Sequence, residues 1–306
     1  MKILIIGFGS IGQKHFKILS SLSHEVAVVS NRKIHSILCY KELRDSLIIF
    51  KPDYIVIANR TSEHYKTIEA LVELNFKGKI LMEKPIFDCK YEIPKNNFST
   101  IGIGYNLRFH PLILKLKKLL DTKNKIISAS LYVGSYLPNW RTTSDYRESY
   151  SAKKNQGGGV LRDLSHEIDI ALWLFGDWIN LTSLGGKLSN LEIDSEDAFS
   201  ILMETKKCKL VNITMNYFDR MPKREIIVNT ESSSFIVDLI NNNFIVNGIT
   251  KHIQYDLNET YISEHYAIIN GDKDIICTPG EALKTISIIE AAEISSRNKN
   301  WVNNYL

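Results

Sequence analysis

The chain is poor in cysteine, and its few cysteines are scattered. Cys39, Cys89, Cys208 and Cys277 stand far apart in 306 residues, without the spacing of metal ligands. We therefore expect reduced thiols and no bound metal. No apolar stretch approaches the roughly 20 residues that a membrane span requires, so we expect no membrane partner.

The chain also lacks a strong charge of either sign. Its formal net charge is +4, and its densest basic run, residues 115–125, alternates lysines with leucines like the solvent-exposed face of a helix. This balance argues against a nucleic-acid partner. The N-terminal MKILIIG is a short apolar run that leads into a folded motif, so we expect no signal peptide and a cytoplasmic location.

The N-terminal third alternates short apolar runs with amphipathic segments. Residues 2–6 form a continuous apolar run, as in a parallel strand buried on both faces. The pattern predicts further strands at 25–29, 53–58 and 79–82, and helices to about 22, at 42–50 and at 62–75. This alternation predicts an α/β Rossmann domain, a doubly wound parallel sheet, over residues 1–105.

A glycine fingerprint follows the first strand. Gly7, Gly9 and Gly12 enclose Ser10 and Ile11 in a GxGxxG motif between a strand and a helix. The first glycine allows a tight turn, the second a close approach of the pyrophosphate, and the third close packing of helix on strand. The pattern predicts an NAD(P) site in which the helix N-terminus holds the phosphates.

The second predicted strand ends without the acidic residue that an NAD site usually places there. Ser30, Asn31 and Arg32 occupy the position instead. These residues favour NADP over NAD, because they can hold a 2′-phosphate. The alternative is that Arg32 and Lys33 are solvated loop cations.

Two further strands end in polar residues. Asn59, Thr61 and His64 follow one strand, and Glu83 with Lys84 follows the next. Ligands of such sheets bind at the carboxyl ends of the strands, so we expect these side chains near the cofactor. His64 stands near the start of a helix and fits a structural role better than a catalytic one.

Residues 157–176 combine a glycine-rich entry with helical periodicity. The apolar residues fall on one narrow stripe: Leu161, Leu164, Ile168, Leu172 and Phe175. Asp163 and His166 lie away from this stripe, within roughly 60° of each other on a helical wheel. An acid and an imidazole one turn apart suit general acid–base catalysis. The alternative is an ordinary helix whose second face meets a partner.

The rest of the chain, residues 106–306, predicts an α+β domain with a mostly antiparallel open sheet. A helix at 112–120 precedes strand-like runs at 126–136, 181–188, 196–205, 208–217, 224–230, 233–239 and 243–248. The loop between the first two runs carries candidate substrate-binding residues, namely Trp140, Arg141, Tyr146, Arg147 and Tyr150. Flat rings and guanidinium forks suit an anionic sugar. A loop tied down by its own aromatics is the alternative.

Three motifs together resemble the Gfo/Idh/MocA oxidoreductases, the family of glucose–fructose oxidoreductase and inositol dehydrogenase. They are Glu83-Lys84-Pro85 after a strand, residues 102–111 (GIGYNLRFHP), and the glycine-rich stretch with its acid and histidine. Residues 279–297 look like the C-terminal helix that packs back on the first domain in this family. The sequence of residues 140–161 also resembles that of family members found among the enzymes of surface-glycan biosynthesis.

The resemblance implies roles for particular residues. Lys84 corresponds to the catalytic lysine, His166 to the general acid–base and Asp163 to its carboxylate neighbour, although many members place the acid four residues before the histidine rather than three. Asn106 and Arg108 are candidate substrate-binding residues. A cis bond before Pro85 is compatible with the motif. The sheet of the second domain commonly forms a dimer in the family, so we expect a homodimer or homotetramer.

These observations predict an NAD(P)-dependent oxidoreductase that acts on a hydroxyl or keto carbon of a sugar, or of a nucleotide-linked or acidic sugar derivative. The alternative from another class is a non-catalytic cofactor- or sugar-sensing regulatory member. A third possibility keeps the enzyme but returns the hydride to the substrate after a transient oxidation.

Overall fold

The computed structural model of the chain describes residues 1–32, 34, 36–121, 125–141 and 145–304. These residues form two compact units. Unit 1 combines Met1–Phe109 with Asp256–Leu283, and unit 2 combines His110–Tyr255 with Lys284–Leu306. Lys33, which the sequence groups with Arg32, lies outside the described residues.

The described part of unit 1 contains a six-stranded parallel sheet with strand order β3-β2-β1-β4-β5-β6. Its strands are β1 (Lys2–Ile6), β2 (Glu25–Val29), β3 (Cys39–Tyr40), β4 (Tyr54–Ile57), β5 (Lys79–Met82) and β6 (Thr100–Ile103). The apolar runs of β1 and β4 are almost fully buried, as expected of central strands covered on both faces. The predicted Rossmann sheet is confirmed.

Three helices connect the strands of unit 1: α1 (Ser10–Ser21), α2 (Leu43–Ile49) and α3 (Thr61–Glu73). α1 and α3 each bury one face, whereas Ser46 is the one buried residue of α2. The buried residues of α1 are Gly12, His15, Ile18 and Leu19, which recur at helical spacing. A histidine is therefore part of the buried face of the first helix.

Unit 2 is built around a mixed sheet that has nine strands in the described residues, in the order β14-β13-β12-β11-β7-β10-β9-β8-β15. The strands are β7 (Ile126–Gly134), β8 (Trp178–Gly186), β9 (Ala198–Thr205), β10 (Val211–Asn216), β11 (Lys223–Thr230), β12 (Ser234–Asp238), β13 (Asn243–Val246), β14 (Ile249–His252) and β15 (Val302–Asn303). All neighbours pair antiparallel except β7 and β10, which are parallel. The predicted mostly antiparallel sheet is confirmed.

Unit 2 also contains the helices α4 (Pro111–Leu120), α5 (Val160–Asp163) and α6 (His166–Phe175). The sequence pattern predicts one continuous helix where the structure has α5 and α6. Leu164 leaves the helical conformation, with φ −100° and ψ 25°, and Ser165 stands at the N-cap position of the next helix. Residues on both sides of α6 are buried, including Ile168 and Ile170, so the single apolar stripe of the sequence analysis does not describe this segment.

The last two helices are α7 (Asn258–Asn270) and α8 (Pro279–Asn298). The chain returns to unit 1 over Asp256–Leu283, so α7 belongs to unit 1, and α8 continues into unit 2 at Lys284. The division predicted from the sequence, 1–105 and 106–306, contains no such return. That residues 279–297 pack on the first domain stays a prediction.

Within the described residues, no helix is long and apolar enough to cross a membrane. The same residues contain no group of three or more His, Cys, Asp or Glu side chains placed to hold a metal ion.

Candidate active site

The glycine turn after β1 has the conformation that a dinucleotide fingerprint requires. Gly7 has φ +95°, and a Cβ added there would lie 2.6 Å from the carbonyl oxygen of Ala58 and from the backbone of Asn59. A Cβ on Gly12 would overlap the carbonyl oxygen of Gly7. The surrounding backbone therefore leaves no room for a side chain at these two positions.

Gly9 differs from its two neighbours, because a Cβ there would meet no atom within 4 Å. The fold itself does not require glycine at this position, whereas a ligand backbone lying against the turn does. Gly9 precedes the first turn of α1, where Ser10 is exposed and Ile11 half-buried. The turn thus fits the pyrophosphate of a dinucleotide held by the free N–H groups of α1.

The end of β2 carries a small basic cluster. Arg32 reaches back to the glycine turn, where its Nη1 donates to the carbonyl oxygen of Phe8 at 3.1 Å, and its backbone N–H donates to Oγ of Ser30 at 3.2 Å. Lys41 donates from Nζ to the carbonyl oxygens of Ser30 and Arg32, both at 3.2 Å. Asn31 is exposed beside them. The sequence does not indicate that Lys41 belongs to this cluster, because Lys41 follows a two-residue strand that the apolar pattern does not reveal.

The polar residues after β4 mostly support the backbone. Asn59 donates from Nδ2 to Oγ1 of Thr67 at 2.9 Å, and Thr61 starts α3. His64 is buried, and its Nδ1 lies 3.1 Å from the carbonyl oxygens of both Pro85 and Ile86. Burial lowers the pKa of His64, so a neutral ring donates from Nδ1 to these carbonyls. The geometry fits the structural interpretation of His64.

Glu83, Lys84 and Pro85 leave the sheet at the carboxyl end of β5. Glu83 is 7% exposed and Lys84 is half-buried, and the Lys84–Pro85 peptide bond is cis. The backbone N–H of Lys84 donates to Oε2 of Glu83 at 3.3 Å. Oε1 of the same carboxylate lies 2.7 Å from Nε2 of His15 on α1, a residue that the sequence analysis does not single out. Buried groups therefore hold the turn that presents Lys84.

Asn106 and Arg108 are buried in unit 1, unlike typical substrate ligands. Asn106 donates from Nδ2 to Oγ1 of Thr260 at 2.6 Å, and Nη1 of Arg108 lies 3.2 Å from Oε1 of Glu281. Arg108 is only 1% exposed. These contacts connect residues 106–109 to the returning segment 256–283. They give both side chains polar partners without a substrate.

Asp163 ends α5 and His166 begins α6, so the two do not share one helix. The 60° separation expected on a continuous helical wheel is wrong, because Leu164 and Ser165 interrupt the helix. Asp163 is buried and accepts a hydrogen bond of 2.6 Å from the hydroxyl of Tyr217. The hydroxyl of Tyr150 also hydrogen-bonds this carboxylate.

Aromatic and basic residues of the predicted loop gather around the two tyrosines. Trp140 packs edge-on against Tyr217 with ring centroids 5.2 Å apart, and the guanidinium of Arg141 lies 5.6 Å from the ring centroid of Tyr150. Burial, followed by the Asp163 charge, raises the pKa of the Tyr150 and Tyr217 hydroxyls well above its usual value. Both therefore remain donors at neutral pH. The sequence pattern does not mark Tyr217 as a functional residue, because Tyr217 stands at the end of a predicted strand.

Tyr146 and Arg147 turn to structural partners. Nε of Arg147 donates to Asp145, and its Nη1 donates to Glu192 at 2.8 Å. The hydroxyl of Tyr146 accepts the backbone N–H of Glu192 at 3.2 Å. Two carboxylates thus occupy the Arg147 fork and hold this part of the loop without a substrate.

Solved structures with the same fold cover the whole chain. GenD2 from gentamicin A biosynthesis, in complex with NAD, has a TM-score of 0.83 and 16% identity over 100% of this chain and 97% of its own. The WlbA dehydrogenase from Bordetella pertussis, in complex with NADH and UDP-GlcNAcA, has a TM-score of 0.81 and 15% identity over 100% and 99%. Levoglucosan dehydrogenase in complex with NADH has a TM-score of 0.84 and 14% identity over 99% and 98%.

The sequence has no match among proteins of curated function. Family models match both parts of it. Residues 1–93 match the oxidoreductase family with an NAD-binding Rossmann fold, and residues 113–236 match the GFO/IDH/MocA C-terminal domain. These two matches span well over half of the chain, which therefore belongs to the Gfo/Idh/MocA family of NAD-binding oxidoreductases.

Proposed function

We propose that the protein is an NADP-preferring dehydrogenase that oxidises a hydroxyl group, or reduces a keto group, of a sugar derivative carrying negative charge. The observation that carries this proposal is the Glu83-Lys84-Pro85 turn. It stands at the carboxyl end of β5, in the sheet that also carries the glycine turn, and buried contacts from His15 and His64 fix its backbone. A lysine held in this way is suited to act on a reacting oxygen.

The chain's own residues divide the work between binding and proton transfer. Gly7, Gly9 and Gly12 with the first turn of α1 hold the dinucleotide. When bound, the nicotinamide supplies hydride acceptance or donation. Oxidation of an alcohol also releases the hydroxyl proton, so the site needs a base. Lys84 and His166 provide this acid–base chemistry.

The preference for NADP follows from the basic cluster after β2. Arg32 and Lys41 bring two cations to the backbone around Ser30, where the sequence has no acid to accept ribose hydroxyls. A 2′-phosphate forms ion pairs as well as hydrogen bonds with such groups, whereas a neutral hydroxyl forms hydrogen bonds only. NADPH should therefore bind more tightly than NADH.

The substrate class follows from the side chains around Asp163. Among the described residues Arg141 is in no ion pair, and its guanidinium lies over the Tyr150 ring, while Trp140 adds a second flat surface. A cation beside aromatic faces suits a sugar with a carboxylate or phosphate. The UDP-GlcNAcA in the WlbA complex is a ligand of this chemistry.

Assembly through the sheet of unit 2 is part of the proposal. One row of paired residues crosses this sheet: Leu202, Asn212, Ser130, Ile227, Ile236 and Ile245. Leu202 is 37% exposed, and the neighbouring Leu184 is 62% exposed. A second copy would cover these apolar side chains. Sedimentation should then give a dimer or tetramer for the wild type and smaller species for Leu202→Asp.

The test of the catalytic assignment compares Lys84→Ala with wild type on a panel of sugars, acidic sugars and nucleotide sugars. Product analysis by chromatography accompanies nicotinamide absorbance, so that a returned hydride is also detected. Loss of a general acid–base group typically costs about 10²–10⁴-fold in rate, so Lys84→Ala should lose turnover while cofactor affinity changes only a few-fold.

The matched control is Lys77→Ala, which removes an exposed lysine just before the same strand. It should behave as wild type. Full activity of Lys84→Ala would contradict the assignment of Lys84. Tight cofactor binding without turnover on any substrate would favour a sensing role.

A further inference from the structure

Four buried polar side chains of unit 1 form a continuous chain of hydrogen bonds that ends at Glu83. The hydroxyl of Tyr54 lies 2.8 Å from Nδ1 of His265, Nε2 of His265 lies 2.9 Å from Nδ1 of His15, and Nε2 of His15 lies 2.7 Å from Oε1 of Glu83. Tyr54, His15 and His265 are each 0% exposed. The four come from β4, α7, α1 and the end of β5.

The donor and the acceptor of each hydrogen bond in this chain can be assigned from the protonation of its members. Burial raises the pKa of the Tyr54 phenol well above its usual value, so it keeps its proton, and burial lowers the pKa of His265 well below its usual value, so its ring is neutral. A neutral imidazole has one donor and one acceptor. If Tyr54 donates to Nδ1 of His265, then His265 donates from Nε2 to Nδ1 of His15, and His15 donates from Nε2 to Glu83.

The contacts at Glu83 require Nε2 of His15 to be a donor, as this direction has it. Its Oε1 lies against His15, and its Oε2 accepts the backbone N–H of Lys84 at 3.3 Å. Both oxygens are thus acceptors, as in an ionised carboxylate. Gly104 packs against the same side chain, where an added Cβ would lie 3.1 Å from Oε1. The carboxylate therefore has little room to rotate.

We propose that Tyr54, His265 and His15 are positioning residues for Lys84: their hydrogen bonds run in one direction and orient the Glu83 carboxylate that holds the Lys84 backbone. This inference rests on the proposed catalytic role of Lys84. It also gives α7 a function, because the returning segment supplies His265. The returning segment, Asp256–Leu283, is then needed to build the turn that carries the lysine.

The tautomers of the two histidines test the chain without any substrate. Long-range ¹⁵N–¹H correlation spectra of the imidazoles, assigned with single histidine variants, should show His15 and His265 both protonated at Nε2 and bare at Nδ1. A wild-type spectrum with either ring protonated at Nδ1, alone or together with Nε2, would overturn the proposed direction.

Glu83→Gln should reverse the chain. The Lys84 N–H still needs an oxygen, so the glutamine would turn its NH₂ towards His15. His15 and then His265 must in consequence move their protons to Nδ1. His265 does not touch residue 83. A purely local packing defect at residue 83 would therefore leave the tautomer of His265 unchanged, whereas a reversed chain of hydrogen bonds would change it. If the tautomer of His265 is the same in a folded Glu83→Gln protein as in wild type, the proposal is overturned.

Kinetics then test the consequence for Lys84. Tyr54→Phe and His265→Phe keep a ring in place but break the chain, and small misplacements of a reacting group cost roughly tenfold to a hundredfold in rate. We expect such a loss in kcat, with the KM for cofactor and substrate within about twofold. The controls are Tyr40→Phe in the same sheet and His252→Phe at an exposed histidine of β14, both outside the chain.

The two proposals fail in different ways. If Lys84→Ala abolishes turnover while Tyr54→Phe and His265→Phe keep the wild-type kcat, the positioning role is wrong and the proposed function stands. If turnover survives Lys84→Ala, the proposed function fails and the role of the chain in catalysis fails with it, whatever the tautomers are.

Discussion

The hydroxyl of Tyr217 donates a 2.6 Å hydrogen bond to Oδ2 of Asp163, and both side chains are buried. Tyr217 follows β10 directly, so the carboxylate is held from the sheet rather than from its own helix. Tyr150 adds a second hydroxyl to the same carboxylate. Because α5 and α6 are separate, these tyrosines determine the orientation of Asp163 in place of a helical turn shared with His166.

Tyr217→Phe should lower kcat by about tenfold or more and destabilise the fold by about 1–3 kcal/mol, because a buried carboxylate loses a donor. Steady-state kinetics and denaturant unfolding measure the two effects. Tyr132→Phe is the matched control, since its hydroxyl donates to Asp219 at 2.7 Å from the same sheet. Equal kcat losses in both variants would show that Asp163 has no special role.

Gly9→Ala should separate folding from cofactor binding. A Cβ at Gly9 meets no atom, so the variant should fold as stably as wild type or be stabilised by about 0.4–1 kcal/mol. The same methyl group would face the pyrophosphate, so cofactor affinity should fall by more than about tenfold, or about 1.4 kcal/mol.

Gly12→Ala gives the opposite pattern, because its Cβ would overlap the carbonyl oxygen of Gly7. Here the melting temperature itself should drop. If Gly9→Ala binds NAD(P)H as wild type does, the dinucleotide does not lie against this turn.

Arg32→Ala and Lys41→Ala should each weaken NADPH binding by about tenfold while NADH binding changes little, because in the proposed assignment only the 2′-phosphate contacts these cations. Equilibrium titration followed by nicotinamide fluorescence measures both affinities. Lys17→Ala removes an exposed cation of α1 and serves as control. If the affinities for NADPH and NADH fall equally, the cluster does not contact the 2′-phosphate.

Glu196→Gln should stabilise the protein at high pH only. Burial raises the pKa of Glu196 to about 7 from 4.5, and its Oε1 has no hydrogen-bond partner among the described residues. The folded state therefore keeps the proton to higher pH than the unfolded chain, and this group lowers the free energy of unfolding as pH rises from 4.5 to about 7.

The variant should thus match wild type in acid and exceed it by about 3 kcal/mol in mild alkali. Urea unfolding at several pH values measures the difference. Glu231→Gln, at an exposed carboxylate, should show no such trend. A constant offset at every pH would mean that Glu196 titrates normally.

The sheet of unit 1 and its glycine turn could be predicted from the sequence. Strands 2–6, 25–29 and 79–82 have the predicted bounds, because buried parallel strands are short apolar runs with clear ends. The two-residue β3 and the helix α7 were not predicted. The buried face of α7 includes Thr260, Glu264 and His265, so hydrophobic periodicity does not mark it.

The polar supports of the site could not be predicted either. His15, Tyr54, His265 and Tyr217 act through partners far away in sequence, and a single sequence does not reveal such pairs. One local signal exists: His15 follows Gly12 by three residues and so lies on the same buried helix face. Buried polar residues on such a face require a partner, which is a reason to search for one.

The central claim is that this chain binds a nicotinamide dinucleotide in order to oxidise or reduce a substrate, with a preference for the phosphorylated form. Fluorescence titration of the purified protein with NADPH and, separately, with NADH tests it most directly. We expect tight binding of NADPH and weak binding of NADH. A preference for NADH would contradict the role given to Arg32 and Lys41, and binding of neither would contradict the claim itself.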